Sequence, residues 1–133
     1  MKNPSKEEKE NFIWASYNGK YPPSTINVGK WLIFVSIDEI DKIWKKVKEA
    51  LKEGRLGDTA KVGTKLQRES YNSNEHVICV YTYDYKDKKD VMRIRQELRE
   101  LGITKKIPYK SDTDTLKGKY KYKGDKNISL YYE

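Results

Sequence analysis

Lys30-Trp-Leu-Ile-Phe-Val-Ser-Ile37, followed at once by Asp38-Glu-Ile40, decides the fold class. The first stretch is apolar on both faces, β-branched and aromatic, the pattern of a strand in the middle of a sheet. Asp38 then offers a side-chain N-cap, and Asp41 places a negative charge in the first turn of a helix. Ile40, Ile43, Trp44, Val47 and Leu51 recur at helical spacing. The spacing predicts an amphipathic helix over 39–53, stopped by Gly54.

The same strand-then-helix signal recurs downstream. His76-Val-Ile-Cys-Val-Tyr-Thr-Tyr83 reads as a second strong strand. Asp87 and Asp90 repeat the capping arrangement ahead of Val91, Ile94, Leu98 and Leu101, with Gly102 as the stop. Between the two units, Thr59-Ala-Lys-Val-Gly-Thr64 predicts a short strand and 65–75 a polar loop. A strand over 105–110 follows, and two more are expected in 117–123 and 127–132, where Tyr120 and Tyr122 alternate with lysines. Upstream, Phe12-Ile-Trp14 and Tyr17 suggest a first short element, Tyr21-Pro-Pro-Ser an extended connection, and residues 1–11 a flexible polar tail. The order is β-α-β-β-α-β-(β-β). One strand pair lacks a helical crossover, so the expected fold is α+β: a mostly antiparallel or mixed sheet with two main helices packed on one face, in a single domain over 12–133.

At 133 residues the chain has material for one ordinary core. Apolar and charged residues each make up 36%, and three Trp, eleven Tyr and two Phe offset the low apolar share. The longest apolar run, Trp31–Val35, is far short of a bilayer span, so no membrane role is expected. No secretory h-region is visible at the N-terminus, and Cys79 has no cysteine to pair with, which points to a reducing cytoplasm; a monomer is expected. Many Lys and Glu against two Gln give a thermophile-like composition. Net charge is +8, and residues 105–126, with eight lysines and three aspartates, hold much of the excess. Such a chain attracts phosphate-bearing partners through a salt-sensitive term, or simply carries a lysine-rich solvated surface.

Several chemistries lack material. His76 is the only histidine, and a strand places it and Cys79 on opposite faces, so no metal is expected. Phosphate loops and dinucleotide fingerprints are absent, and so no cofactor is expected. Asp112, Asp114 and Asp125 lack the glycine and terminal glutamate of a calcium loop. Trp31 and Trp44 read as core, while Trp14 stays unplaced. Lys119-Tyr-Lys-Tyr-Lys123 fits a base-stacking strand and an edge strand guarded by lysines equally well.

Gly29-Lys-Trp-Leu-Ile-Phe, Gly54-Arg-Leu-Gly-Asp-Thr-Ala-Lys-Val, His76-Val-Ile-Cys-Val-Tyr-Thr and Ile107-Pro-Tyr-Lys-Ser-Asp-Thr-Asp-Thr115 resemble the family of the basophilic-leukaemia-expressed protein. The resemblance runs from about residue 12 to 133 and implies a curved sheet like that of translation initiation factor 4E. That factor sandwiches a methylated guanine between two loop tryptophans, a pair that Trp31 and Trp44, read as core, do not supply. Archaeal and bacterial members of the family carry a phosphothreonine-lyase label. Against the lyase pattern, Lys30 matches the first lysine and Lys61 the base, but Leu32 stands where the acid histidine belongs. Losing a general acid costs about 10²–10⁴ in rate.

The expected function is therefore a small phosphate-recognising domain without catalysis, binding a nucleotide, an RNA end or single-stranded nucleic acid, with RNA favoured. Lys30, Lys61 and Lys110 are the expected phosphate contacts, and Tyr81, Tyr109 and Tyr120 the expected stacking surfaces. Two alternatives stand beside it. One is a lyase-like enzyme with Lys61 as base; the other is an interaction module that docks its basic C-terminal region on an acidic or ribonucleoprotein partner.

Overall fold

The computed structural model describes residues 2–112 and 129–133 of the chain. Six strands form one sheet: β1 (Phe12–Ser16), β2 (Gly29–Ser36), β3 (Thr59–Gly63), β4 (Glu75–Thr82), β5 (Pro108–Ser111) and β6 (Ser129–Tyr132). Their spatial order is β1-β3-β4-β2-β5-β6, and every ladder is antiparallel. The helices are α1 (Ile40–Lys52), α2 (Lys65–Ser70) and α3 (Lys88–Glu100). The α+β class and the two main helices are as the periodicity predicted. The strand expected over 117–123, with Tyr120 and Tyr122, lies outside the described residues.

One face of the sheet is the core. Trp31 and Ile33 of β2, Ala60 and Val62 of β3, Ile78 and Val80 of β4 and Tyr109 of β5 cluster with Ile40, Trp44, Val47 and Leu51 of α1 and Val91, Ile94 and Leu98 of α3. Trp31 and Trp44 are core residues, as read. The Trp31 indole N–H donates to the Val91 carbonyl at 3.1 Å, so the largest central side chain is also polar-satisfied. Arg95 is buried too; its guanidinium donates to the carbonyls of Ile103, Lys105 and Glu133 at 2.9, 2.8 and 3.3 Å, joining α3 to the loop before β5 and to the end of β6. Burial pulls its pKa down to about 10.

Three local expectations are corrected. Asp38 does not cap α1: the chain leaves β2 through a tight turn in which the Glu39 N–H donates to the Ser36 carbonyl, so Glu39 takes the cap position with no side-chain bond. By contrast, Asp87 does cap α3, accepting from the Asp90 N–H. The stretch 65–75 is not all loop. Thr64 accepts the Gln67 N–H at 3.3 Å and starts the one-and-a-half-turn α2, whose residues are none of them buried. Residues 2–11 are not a free tail either. Pro4 is buried, Lys65 and Leu66 donate backbone N–H groups to the Pro4 and Glu7 carbonyls, and Ser5 donates from both N–H and Oγ to the Asp41 carboxylate at 3.0 and 2.6 Å. Among the described residues no helix is long and apolar enough to cross a membrane.

Candidate functional site

Strand alternation sends the other set of side chains to the face away from the core, where neither α1 nor α3 packs. The register fixes who meets whom. Trp14 stands opposite Lys61, Lys61 opposite Cys79, and Cys79 opposite Leu32, making one row across β1, β3, β4 and β2. The next row sets Tyr81, Lys30 and Lys110 side by side across β4, β2 and β5. Directly opposed residues on one face are near enough to interact.

Two ammonium groups flank one ring. Lys30 Nζ is 5.7 Å and Lys61 Nζ 5.9 Å from the Tyr81 centroid. Lys61 Nζ also lies 5.0 Å from the Trp14 ring and 4.0 Å from the Phe12 ring, cation–π distances in all three cases. Among the described residues no carboxylate pairs with it. Trp14 stacks offset on Tyr81, with centroids 6.2 Å apart and planes 16° apart, yet leaves 58% of its surface exposed. Burial raises the Tyr81 hydroxyl pKa well above its usual range.

Beside this group opens a cleft of about 240 Å³ lined by Trp14, Asp58, Thr59, Tyr81, Thr82 and Asp112. Gly57 allows its wall to form: a Cβ there would come within 2.4 Å of the Tyr81 carbonyl oxygen. Asp112 caps the Lys30 ammonium at 2.5 Å. Lys110 has its pKa lowered, first by burial and then by the Lys30 charge across the ladder. The Cys79 thiol, on the floor of the same face, is pushed up to about 11 by burial although Lys61 and Lys30 pull the other way. A buried thiol held neutral is a poor nucleophile.

Lys30, Lys61, Lys110 and Tyr81 are thus brought together. Tyr109 is not, and its role as a stacking surface is corrected. It is fully buried on the core face, its hydroxyl 2.6 Å from Thr82 Oγ1 and its ring edge-on to Trp31 and Tyr131. Tyr120 lies outside the described residues. Trp14, which the sequence left unplaced, is the exposed aromatic of the cleft. Leu32 is a nearly buried floor residue with no acid to offer. His76 does not replace it: its imidazole is buried on the core side of β4, Nδ1–H donating to the Gly63 carbonyl at 2.7 Å while Nε2 accepts from Arg68 at 3.1 Å. Burial, followed by the Arg68 charge, holds its pKa down against the Gly63 bond and Asp41. Among the described residues no group of His, Cys, Asp and Glu could hold a metal.

Residues 22–116 match the family model for the basophilic leukemia-expressed protein Bles03. The chain belongs to the Bles03 family. The stretch matched to Bles03 contains Lys30, Lys61, Tyr81 and Lys110 and begins after Trp14. Solved structures place the fold of this chain among the eIF4E-like α+β folds. The chain is similar to schistosome eIF4E complexed with m7GpppA and 4E-BP, with a TM-score of 0.70 at 15% identity over 100% of this chain and 75% of that one. It is also similar to C. elegans eIF4E-3 in complex with the 4E-binding protein Mextli and a cap analog, with a TM-score of 0.57 at 22% identity over 69% of this chain. That match spans 54% of the C. elegans chain. At such identities the likeness is one of fold, a curved antiparallel sheet backed by helices.

Proposed function

We propose that the open face of the sheet binds a phosphate-bearing nucleotide, as a free nucleotide or an RNA end, without transforming it. One observation carries this: the exposed Trp14 ring stands beside Tyr81 at the mouth of a cleft, with the Lys30 and Lys61 ammonium groups both within 6 Å of the Tyr81 centroid. A base stacks on the free face of Trp14, and the phosphate lies against Lys61, Lys30 and Lys110. Stacking of one base on an aromatic side chain is worth about 1–3 kcal/mol, and a charge-assisted contact to phosphate about as much. The schistosome neighbour is complexed with m7GpppA, a nucleotide, which supports the assignment of ligand class. Only Trp14 of the three tryptophans is exposed, so the base has one indole rather than two to lie on. Lyase chemistry on Lys61 would need a general acid; Leu32 supplies none and His76 faces the core.

Calorimetric titration with AMP and with adenosine tests the reading. AMP should bind at least tenfold more tightly than adenosine. Lys61→Met should cost about tenfold in AMP affinity, and Trp14→Ala at least as much for both ligands. Equal binding of AMP and adenosine, or affinities unchanged in both variants, overturns the assignment.

A further inference from the structure

A second cleft opens on the same face, further along the strands. It has a volume of about 220 Å³ and is lined by Phe34, Gln67, Arg68, Tyr71, Glu75 and Val77. Phe34 is 52% and Tyr71 73% exposed, and neither ring belongs to the core cluster. Phe34 belongs to the set of β2 side chains that includes Lys30 and Leu32, and its ladder partner is Val77, as Tyr81 is the partner of Lys30. Four residues of strand separate the two rows, or about 13 Å at a rise of about 3.3 Å per residue. Leu32, Cys79 and the Lys61 ammonium lie between them.

We infer that this second cleft is a base-stacking subsite and that the ligand is a single-stranded oligonucleotide running along the open face from the Lys30–Tyr81 row, where the Trp14 ring lies against Tyr81, to Phe34 and Tyr71. The inference rests on the nucleotide reading above and extends it. The two ends differ in character. The Trp14 end gathers Lys30, Lys61 and Lys110 and suits a phosphate. The Phe34 end sets the carboxylate of Glu75 beside Arg68 and Gln67, a mixture of donors and acceptors that suits base edges and disfavours a second terminal phosphate. Arg68 is held in place by its bond to buried His76. A span of about 13 Å accommodates on the order of four nucleotides at the duplex rise of about 3.4 Å, and fewer when the strand is stretched. The net charge of +8 complements a polyanion rather than an apolar peptide.

The test is a length series of 5′-phosphorylated oligoadenylates, from AMP to the hexamer, titrated into the full chain and into Tyr71→Ala and Phe34→Ala. Both replaced rings are exposed, so neither change empties the core. Affinity should rise at least tenfold between AMP and the tetramer and then level off. Each variant should lose about tenfold for the tetramer while keeping its AMP affinity. An affinity that does not rise with length, or variants that bind the tetramer as the parent does, overturns the inference and leaves the nucleotide site standing. No binding of AMP or of any oligomer sinks both.

Discussion

Lys61 and Trp14 are ladder partners on β3 and β1, and the Lys61 ammonium lies 5.0 Å from the indole centroid while 58% of the Trp14 surface stays exposed. The cation that would meet a phosphate is thus positioned by the ring that would stack the base. The two should act as a unit. A double-mutant cycle on AMP binding with Trp14→Ala and Lys61→Met should give a coupling energy of about 0.5–1 kcal/mol, in the range of a cation–π contact near the surface. Strict additivity would show that the rings do not position Lys61.

Asp112 acts in the opposite direction. Its carboxylate sits on the Lys30 ammonium at 2.5 Å, where an incoming phosphate would bind, and it is a third exposed. Asp112→Asn removes that competing charge and should tighten AMP binding by about threefold, a gain limited by solvent screening of the pair. Weaker binding in the variant would mean that the carboxylate organises the cleft rather than competing for it.

The sole histidine sets an acid limit on stability. In the folded chain His76 is buried, donates to Gly63 and accepts from Arg68, and its pKa is lowered, chiefly by burial. Unfolded, it titrates near its ordinary value of about 6.5. Below that pH the unfolded chain takes up a proton that the folded chain refuses, so stability falls as pH drops through about 6.5. His76→Gln keeps a donor for Gly63 and an acceptor for Arg68 but cannot titrate. Urea midpoints at pH 7.5 and 5.5 should differ less in this variant than in the parent; an identical difference would exclude His76 as the source.

Arg95 holds three carbonyls that no other described side chain but Arg99 reaches. Arg95→Met leaves the Ile103 and Lys105 oxygens without their donors and should cost about 3 kcal/mol in a urea titration. A loss under about 1 kcal/mol would show that water replaces the guanidinium.

What the sequence shows, and what it hides, follows from parity. β2 with α1 and β4 with α3 were legible because an unbroken apolar run gives way abruptly to period 3.6 in each. Thr64 and Gln67, three apart, were a readable helix start, but α2 has no buried face and so leaves no hydrophobic period. Tyr109 and Lys110 are adjacent on a strand and must face opposite sides, so only one of them could join the cleft; the buried Tyr109 left Lys110 to do it. Trp14 was hidden for a different reason. Its strand is five residues long, and its neighbour Lys61 lies 47 positions away, a pairing that only the assembled sheet reveals. Asp112 showed in the sequence only as part of an incomplete calcium loop, because its partner, Lys30, lies 82 positions away.

The most direct test of the account is fluorescence anisotropy with one short labelled single-stranded RNA bearing either a 5′-phosphate or a 5′-hydroxyl, read across a salt series. A formed phosphate site built by Lys30, Lys61 and Lys110 predicts tighter binding of the phosphorylated end, with the preference surviving moderate salt. Binding that ignores the end group and collapses as salt rises would reduce the face to a basic surface and contradict the claim.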